Sequence, residues 1–157
     1  MTDQTVQRTV TVAADIATTF RVFTDGFDSW WPRSHHIGSA PLKRAIIEGR
    51  THGRCYNEQE DGTECDWGTV LVWEPPSRLV LAWQITHQWG YEPDLAKSSE
   101  VEILFTSVAP TRTRVDLEHR HFERHGEGGA ILRTSVSAPG GWGSLLDLFV
   151  AVANQTR

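Results

Sequence analysis

Residues 65–83 read CDWGTVLVWEPPSRLVLAW, two apolar-rich stretches on either side of the pair Pro75-Pro76. Val, Leu and Trp dominate both stretches, as is typical of β-strands, and adjacent prolines are typical of the turn between them. We therefore predict one strand over 64–73 and a second over 79–86.

Strand-like stretches, in which side chains repeat with a period of two residues, also occur on both sides of these two strands. Turn signals at Asp61-Gly62 and at Ala109-Pro110-Thr111 separate further stretches of this kind. The additional predicted strands cover 5–13, 44–48, 53–59, 99–108 and 114–121. Six strands follow one another after residue 43, so the sequence predicts a meandering antiparallel sheet.

One face of this sheet is apolar. Leu79, Leu81 and Trp83 share one side of their strand, and on the later strands the charged residues alternate with apolar ones. A sheet with one apolar face needs a helix to cover it. We expect the C-terminal segment to form that helix, with Ser144 as its N-cap and an apolar stripe at helical spacing. The stripe consists of Leu145, Leu146, Phe149, Val152 and Ala153.

Two shorter helices are predicted after the first strand. Asp15 is a suitable N-cap for a helix that carries Phe20 and Phe23 on one face. A second short helix is expected within 26–38, broken at Pro32, and another helical piece within 127–137. Together these elements predict one compact α+β domain over residues 1–157.

Composition and charge exclude several classes of function. The net charge of -5 argues against a general nucleic-acid or anionic-membrane binder, since both attractions need a positive face. The chain has no run of about 20 apolar residues and no secretion signal at its start, so we expect a cytoplasmic protein. A two-residue hairpin turn at Asp61-Gly62 would pair Glu58 with Cys65 and direct Cys55 and Cys65 to opposite faces of the sheet, so both are predicted to be reduced thiols.

The stretch DLEHRHFERH, residues 116–125, places two histidines on the apolar side of the last strand. His119 and His121 continue the inward series of that strand, which leaves three interpretations. A metal site needs a further ligand, for which His35, His36, Cys65 and Asp66 are candidates that no spacing selects, so no metal is predicted. Acid or base catalysis by His119 has no accompanying nucleophile or cofactor motif, so no catalytic residue and no cofactor are predicted. The third interpretation keeps two possibilities open: His119 is a polar anchor among apolar side chains in one wall of a pocket, or it is a purely structural histidine whose hydrogen bonds are satisfied at the end of the strand.

Seven tryptophans are the unusual feature of the composition. Indole offers a large apolar surface with one N–H donor, so these side chains fill a core or line a cavity. We predict binding of a small hydrophobic or aromatic molecule between sheet and C-terminal helix. The predicted binding residues are Trp31, Trp67, Trp83, Phe105, His119 and Trp142.

Several segments resemble a known family. The stretches FTDGFDSWWP, CDWGTVLVWEPPSRLVLAW, VEILF, TRVDLEHRHFERHGEG and GGWGSLLDLF are similar to bacterial members of the heat-shock-protein-90 ATPase activator homologue-like family, in the START-like superfamily. The resemblance runs from about residue 5 to 153. It implies a helix-grip fold, in which a curved antiparallel sheet wraps a long C-terminal helix and two short helices follow the first strand.

The resemblance also bears on function. START-like proteins, among them polyketide cyclases, commonly bind apolar small molecules between sheet and helix. It makes His119 the family's recurrent strand histidine and Trp142 its helix-start tryptophan, whereas His121 stands where relatives have a small residue. Two alternatives to a binding protein stay open, namely a cyclase- or dehydratase-type enzyme that uses His119 and a chaperone-accessory or other protein-interaction module. A homodimer or a chaperone partner is likewise left open.

Overall fold

A seven-stranded antiparallel sheet forms the frame of the protein in the computed structural model, which describes residues 5–156. The strands are β1 (Val6–Val12), β2 (Leu42–Ile47), β3 (Arg54–Gln59), β4 (Glu64–Glu74), β5 (Arg78–Trp83), β6 (Ser99–Ala109) and β7 (Arg112–Arg120). Their order in the sheet is β1-β7-β6-β5-β4-β3-β2. Strands β2 to β7 each lie beside their neighbour in sequence and β1 pairs with β7, so the predicted meander is confirmed.

Four α-helices complete the part of the chain that the structure describes. They are α1 (Ile16–Phe23), α2 (Phe27–Trp30), α3 (Gly129–Ser137) and α4 (Trp142–Gln155), with 3-10 turns at Leu95–Lys97 and Phe122–Gly128. Asp15 caps α1 as predicted, its carboxylate accepting a hydrogen bond from the Thr18 N–H at 3.3 Å. Helix α2 ends before Pro32, because the residue before a proline avoids the helical conformation. The predicted α+β helix-grip architecture is confirmed.

The hydrophobic core lies between the concave face of the sheet and α4. Leu79, Leu81 and Trp83 are buried on β5, and the inward residues of β6 and β7 are buried beside them. Four residues of the predicted α4 stripe are buried as well, namely Leu145, Leu146, Phe149 and Ala153. The outer face carries ion pairs instead, such as Arg120 with Glu102 at 2.9 Å. Strand parity therefore identified the covered face correctly.

The sheet curls where strand β4 departs from regular pairing. Tyr56 pairs with Asp66 and Cys55 with Gly68, so Trp67 is an extra residue on β4, and a second irregularity follows between Val70 and Val72. Such bulges bend a strand and increase its twist. Strand β4 therefore bends around the helices that it faces.

Two predicted details at turns are wrong. The hairpin between β3 and β4 has a three-residue loop over 60–62 with Gly62 at φ 89°, so Cys65 pairs with Asn57 and not with Glu58. Helix α4 begins at Trp142 rather than after Ser144, whose hydroxyl accepts a hydrogen bond from the Gly140 N–H at 3.1 Å. The two thiols are unpaired as predicted, but the register of β3 with β4 puts Cys55 and Cys65 on the same face of the sheet and not on opposite faces.

Candidate functional site

A pocket of about 570 Å³ lies at one end of the sheet. The loop that follows α2 forms one side, strands β4 and β5 form the floor, and the junction between α3 and α4 forms the opposite side. Four of the six predicted binding residues line it, namely Trp31, Trp67, Trp83 and Trp142. Each comes from a different element, so the indoles meet only because the fold brings them together.

The four indoles form one continuous aromatic wall. Trp31 and Trp67 are parallel with ring centroids 6.1 Å apart, Trp67 and Trp83 are 5.9 Å apart, and Trp83 and Trp142 are 5.7 Å apart. Aromatic contacts at such distances stabilise one another beyond simple area burial. The wall is therefore a continuous packed surface of aromatic rings.

His119 is directed inward as its strand parity predicts, but it does not line the pocket. Its side chain is fully buried, and both ring nitrogens have protein partners. The Trp142 indole N–H donates to His119 Nδ1 at 3.0 Å, and because indole can only donate, Nδ1 is the acceptor and Nε2 carries the proton. Nε2 then donates to Ser99 Oγ at 2.7 Å, and the Ser99 hydroxyl donates to His125 Nε2 at 2.8 Å.

This chain of hydrogen bonds favours an uncharged His119. Burial, and as a second cause the nearby His125, hold the pKa of His119 well below its usual value. Trp142 is therefore fixed against a neutral imidazole, and its indole N–H is already used.

Phe105 also lies behind the pocket wall. Its ring packs against Phe20 and Phe23, with centroids 5.1 and 5.8 Å away, in the core beneath α1. The structure thus brings four predicted residues to the pocket and places Phe105 and His119 outside it.

Buried polar atoms without a protein partner concentrate at this pocket. Within residues 5–156, the buried side-chain atoms that lack a hydrogen bond are His36 Nδ1, Asn57 Oδ1, Trp67 Nε1 and Trp83 Nε1. All four residues line the pocket. A buried polar group without a partner costs about 1–3 kcal/mol, so natural folds keep few of them. Their clustering at one pocket marks it as the place where a partner is expected.

Sequence reasoning missed Asn57 and did not single out His36 as a binding residue. Asn57 is only 3 % exposed and lies on β3 between Cys55 and Gln59, which are also buried. A polar residue at an inward position of a strand was a signal available in the sequence. His36 lies in an irregular loop, where no period indicates which way a side chain points.

The loop after α2 is joined to the opposite side of the pocket. His35 Nε2 lies 3.1 Å from the Gly140 carbonyl oxygen, and the Trp31 indole donates to the His35 carbonyl at 2.8 Å. His35 and His36 are the titratable lining residues, and the described lining includes no Asp, Glu, Lys or Arg. The described lining therefore carries no permanently charged side chain.

Between residues 5 and 156, no three His, Cys, Asp or Glu side chains come together as a metal-binding group. No single helix in that range has the length and apolarity to cross a membrane, although Phe122–Ser137 and Trp142–Gln155 taken together, across a 43° bend, have both.

The fold and the pocket define a class of protein, α+β helix-grip proteins with an apolar pocket between sheet and helix. The sequence profile of the family described as "Activator of Hsp90 ATPase homolog 1-like protein" matches residues 13–154. The chain belongs to this family, as its sequence motifs predicted. No curated protein sequence matches the chain.

Solved structures extend the comparison. The chain is 36 % identical to the anthrahydroquino-gamma-pyrone synthase Txn09, solved in complex with SUM, with a TM-score of 0.67 over 94 % of this chain and 96 % of that one. It is 32 % identical to CalC from Micromonospora echinospora, described as a self-sacrificing resistance protein, with a TM-score of 0.67 over 98 % of this chain and 96 % of that one. Protein MLL2253 from Mesorhizobium loti shares the fold at 18 % identity, with a TM-score of 0.68 over 98 % and 99 % of the two chains.

Proposed function

We propose that the protein binds a small, uncharged aromatic molecule in the pocket lined by Trp31, Trp67, Trp83 and Trp142. The observation that carries this proposal is the combination of four indoles with buried polar atoms that lack protein partners, all at one pocket. Small-molecule sites generally combine apolar walls with a few polar groups that orient the ligand. The volume of about 570 Å³ is within the range of such sites, roughly 300–1,000 Å³.

The comparisons support the same proposal. The synthase Txn09 is named for an aromatic pyrone product and was solved with a bound molecule, and it is 36 % identical to this chain over nearly its whole length. At that identity and coverage the two chains share the elements of the fold that line the pocket in this protein. We therefore choose polycyclic aromatic compounds as the first probes.

A direct test fills the pocket with a larger side chain. Ser135 lines the pocket from α3, while Ile131 lies one turn earlier on the same helix and is 55 % exposed. We expect tryptophan fluorescence titrations with a panel of two- to four-ring aromatic compounds to detect binding to the wild-type protein. Ser135→Phe should weaken that binding at least tenfold, and the matched control Ile131→Phe should leave it unchanged.

Two results would count against the proposal. One is the absence of any fluorescence or thermal-stability response of the wild type across the panel. The other is equal binding by Ser135→Phe and Ile131→Phe, which would place the bound molecule elsewhere.

A second candidate function is cyclase-type catalysis in the same pocket, favoured by the identity with a protein named as a pyrone synthase. His119 has no free ring nitrogen for this role, whereas His36 lines the pocket and its Nδ1 has no protein partner. A suitable substrate is an ortho-hydroxyaryl 1,3-diketone, whose phenol oxygen adds to the distal carbonyl before one water is lost to give the pyrone.

Liquid chromatography would follow this ring closure with and without protein. We expect the wild-type protein to accelerate it and His36→Ala to remove most of the acceleration while aromatic probes still bind. Rates equal to those in buffer alone would leave a binding protein without this activity.

A further inference from the structure

The four pocket indoles fall into two kinds, and the difference indicates what the ligand must carry. Trp31 donates its N–H to the His35 carbonyl, and Trp142 donates to His119. Trp67 and Trp83 lie between them in the aromatic wall, and their N–H groups have no partner among the described residues. The N–H groups of Trp31 and Trp142 thus have acceptors within the protein, whereas those of Trp67 and Trp83 have none among the described residues.

We infer that the ligand is an aromatic carbonyl compound whose oxygen atoms accept hydrogen bonds from the N–H groups of Trp67 and Trp83. This inference rests on the proposed function and specifies its ligand class. An indole N–H is a donor only, so its partner must be an acceptor. A planar aromatic ketone or quinone presents such oxygens at the edge of a ring system that can pack against the indole wall.

The position of the two indoles supports one polar end of the pocket. Trp67 and Trp83 are 6 % and 7 % exposed, so both side chains are more than nine-tenths buried. Their ring centroids are only 5.9 Å apart, on the adjacent strands β4 and β5. An aromatic carbonyl compound oriented toward these strands would satisfy donors that a hydrocarbon of the same shape leaves unpaired.

Asn57 adds a complementary group on the neighbouring strand. It pairs with Cys65, two residues before Trp67, and its side chain is buried with Oδ1 unpartnered. A carboxamide oxygen accepts a hydrogen bond, so a phenolic hydroxyl near the ligand carbonyl would complete the set. Hydroxylated aromatic ketones and quinones therefore match the pocket better than plain hydrocarbons.

The test compares two ligands of nearly the same shape, 9,10-anthraquinone and anthracene, in four proteins. These are the wild type, Trp67→Phe, Trp83→Phe and, as a matched control, Trp31→Phe, whose N–H is already used by the protein. Phe retains an aromatic ring but lacks the N–H. Fluorescence titration gives the dissociation constant of each ligand. For each protein, the dissociation constant of anthracene divided by that of anthraquinone measures the preference for anthraquinone.

We expect the wild type to prefer anthraquinone by about tenfold to a hundredfold, as two hydrogen bonds to the two lone pairs of one carbonyl oxygen in a buried site would provide. Trp67→Phe and Trp83→Phe should each reduce this preference about fivefold or more, mainly by weakening anthraquinone binding. Trp31→Phe should leave the ratio unchanged even where overall affinity falls. If a Phe variant does not fold, incorporation of β-(3-benzothienyl)alanine at that position replaces the N–H by sulfur with little change in shape.

The outcomes separate this inference from the proposed function. Equal affinity of the wild type for both ligands, or an unchanged ratio in Trp67→Phe and Trp83→Phe, would overturn the inference and leave aromatic binding intact. If neither ligand binds the wild type at any soluble concentration, the proposed function fails and the inference fails with it.

Discussion

Acidification should destabilise this protein through the fully buried imidazole of His119. Burial and the neighbouring His125 keep the pKa of His119 well below its usual value near 6.5 in the folded state. In the unfolded chain the imidazole is free to bind a proton below about pH 6.5. The unfolded state therefore binds more protons than the folded state, and the free energy of unfolding falls as the pH falls below 6.5.

The size of the effect follows from the same linkage. Each pH unit below the unfolded pKa costs about 1.4 kcal/mol per histidine until the folded-state pKa is reached. Between pH 7.5 and pH 5, one such histidine lowers the free energy of unfolding by up to about 2 kcal/mol, the limit for an imidazole that stays neutral in the folded state over this range. Glu100 and Glu102 also have lowered pKa values, where arginine partners outweigh burial, but their contribution is lost only below about pH 4.5.

The assay is urea denaturation at pH 7.5 and pH 5 for the wild type, His119→Leu and the control His52→Asn. His119→Leu removes the titrating group, so up to about 2 kcal/mol of the pH dependence should disappear. At pH 7.5 this variant should itself be about 1–3 kcal/mol less stable, because the Trp142 N–H loses its acceptor. His52 is exposed at φ 67°, a conformation that Asn tolerates, so the control should keep the wild-type pH dependence. Identical pH dependence in the wild type and His119→Leu would refute the assignment of His119 as a buried neutral group.

Three other consequences of the structure are open to simple measurement. Arg120 forms ion pairs with the carboxylates of both Glu100 and Glu102. Arg120→Met should therefore lower the free energy of unfolding by about 1 kcal/mol at low salt and by less in 1 M salt, and equal losses at both salt concentrations would contradict this. Gly62→Ala should cost about 1 kcal/mol in urea denaturation because Gly62 adopts φ 89°, and a neutral result would argue against this turn geometry. In the native protein Cys65 should react with a thiol reagent. Cys55 is fully buried and its pKa is raised by burial, so it should react only after denaturation. Simultaneous reaction of both thiols would contradict this.

Much of the architecture was predictable because it follows from simple periodicity. Apolar residues alternate along β5, β6 and β7, and the C-terminal segment changes to helical spacing, so sheet, covered face and covering helix follow directly. The turns were less predictable, since Asp61-Gly62 fits both a two-residue and a three-residue hairpin loop. The extra residue at Trp67 also interrupts the alternation of side chains on β4, and no pattern in the local sequence predicts this bulge.

The site was predictable only in part. Parity placed His119 inward correctly, but an inward side chain can face a cavity or a protein partner, and parity does not distinguish them. The Trp142 indole N–H donates to His119 Nδ1 and Ser99 Oγ lies at Nε2, so both ring nitrogens of the histidine are taken up within the protein. Trp142 lines the pocket as predicted, and His119 does not.

The most direct measurement of the central claim follows the indole N–H resonances of the ¹⁵N-labelled protein as 9,10-anthraquinone is added. The chain has seven tryptophans, so each Trp→Phe variant assigns one signal. We predict that the Trp67 and Trp83 signals shift on binding, while Trp30, whose N–H donates to the Val22 carbonyl at 3.2 Å in the core, stays in place. Seven unmoved signals, or a shift confined to the half-exposed Trp89, would contradict the claim that this pocket binds an aromatic ligand.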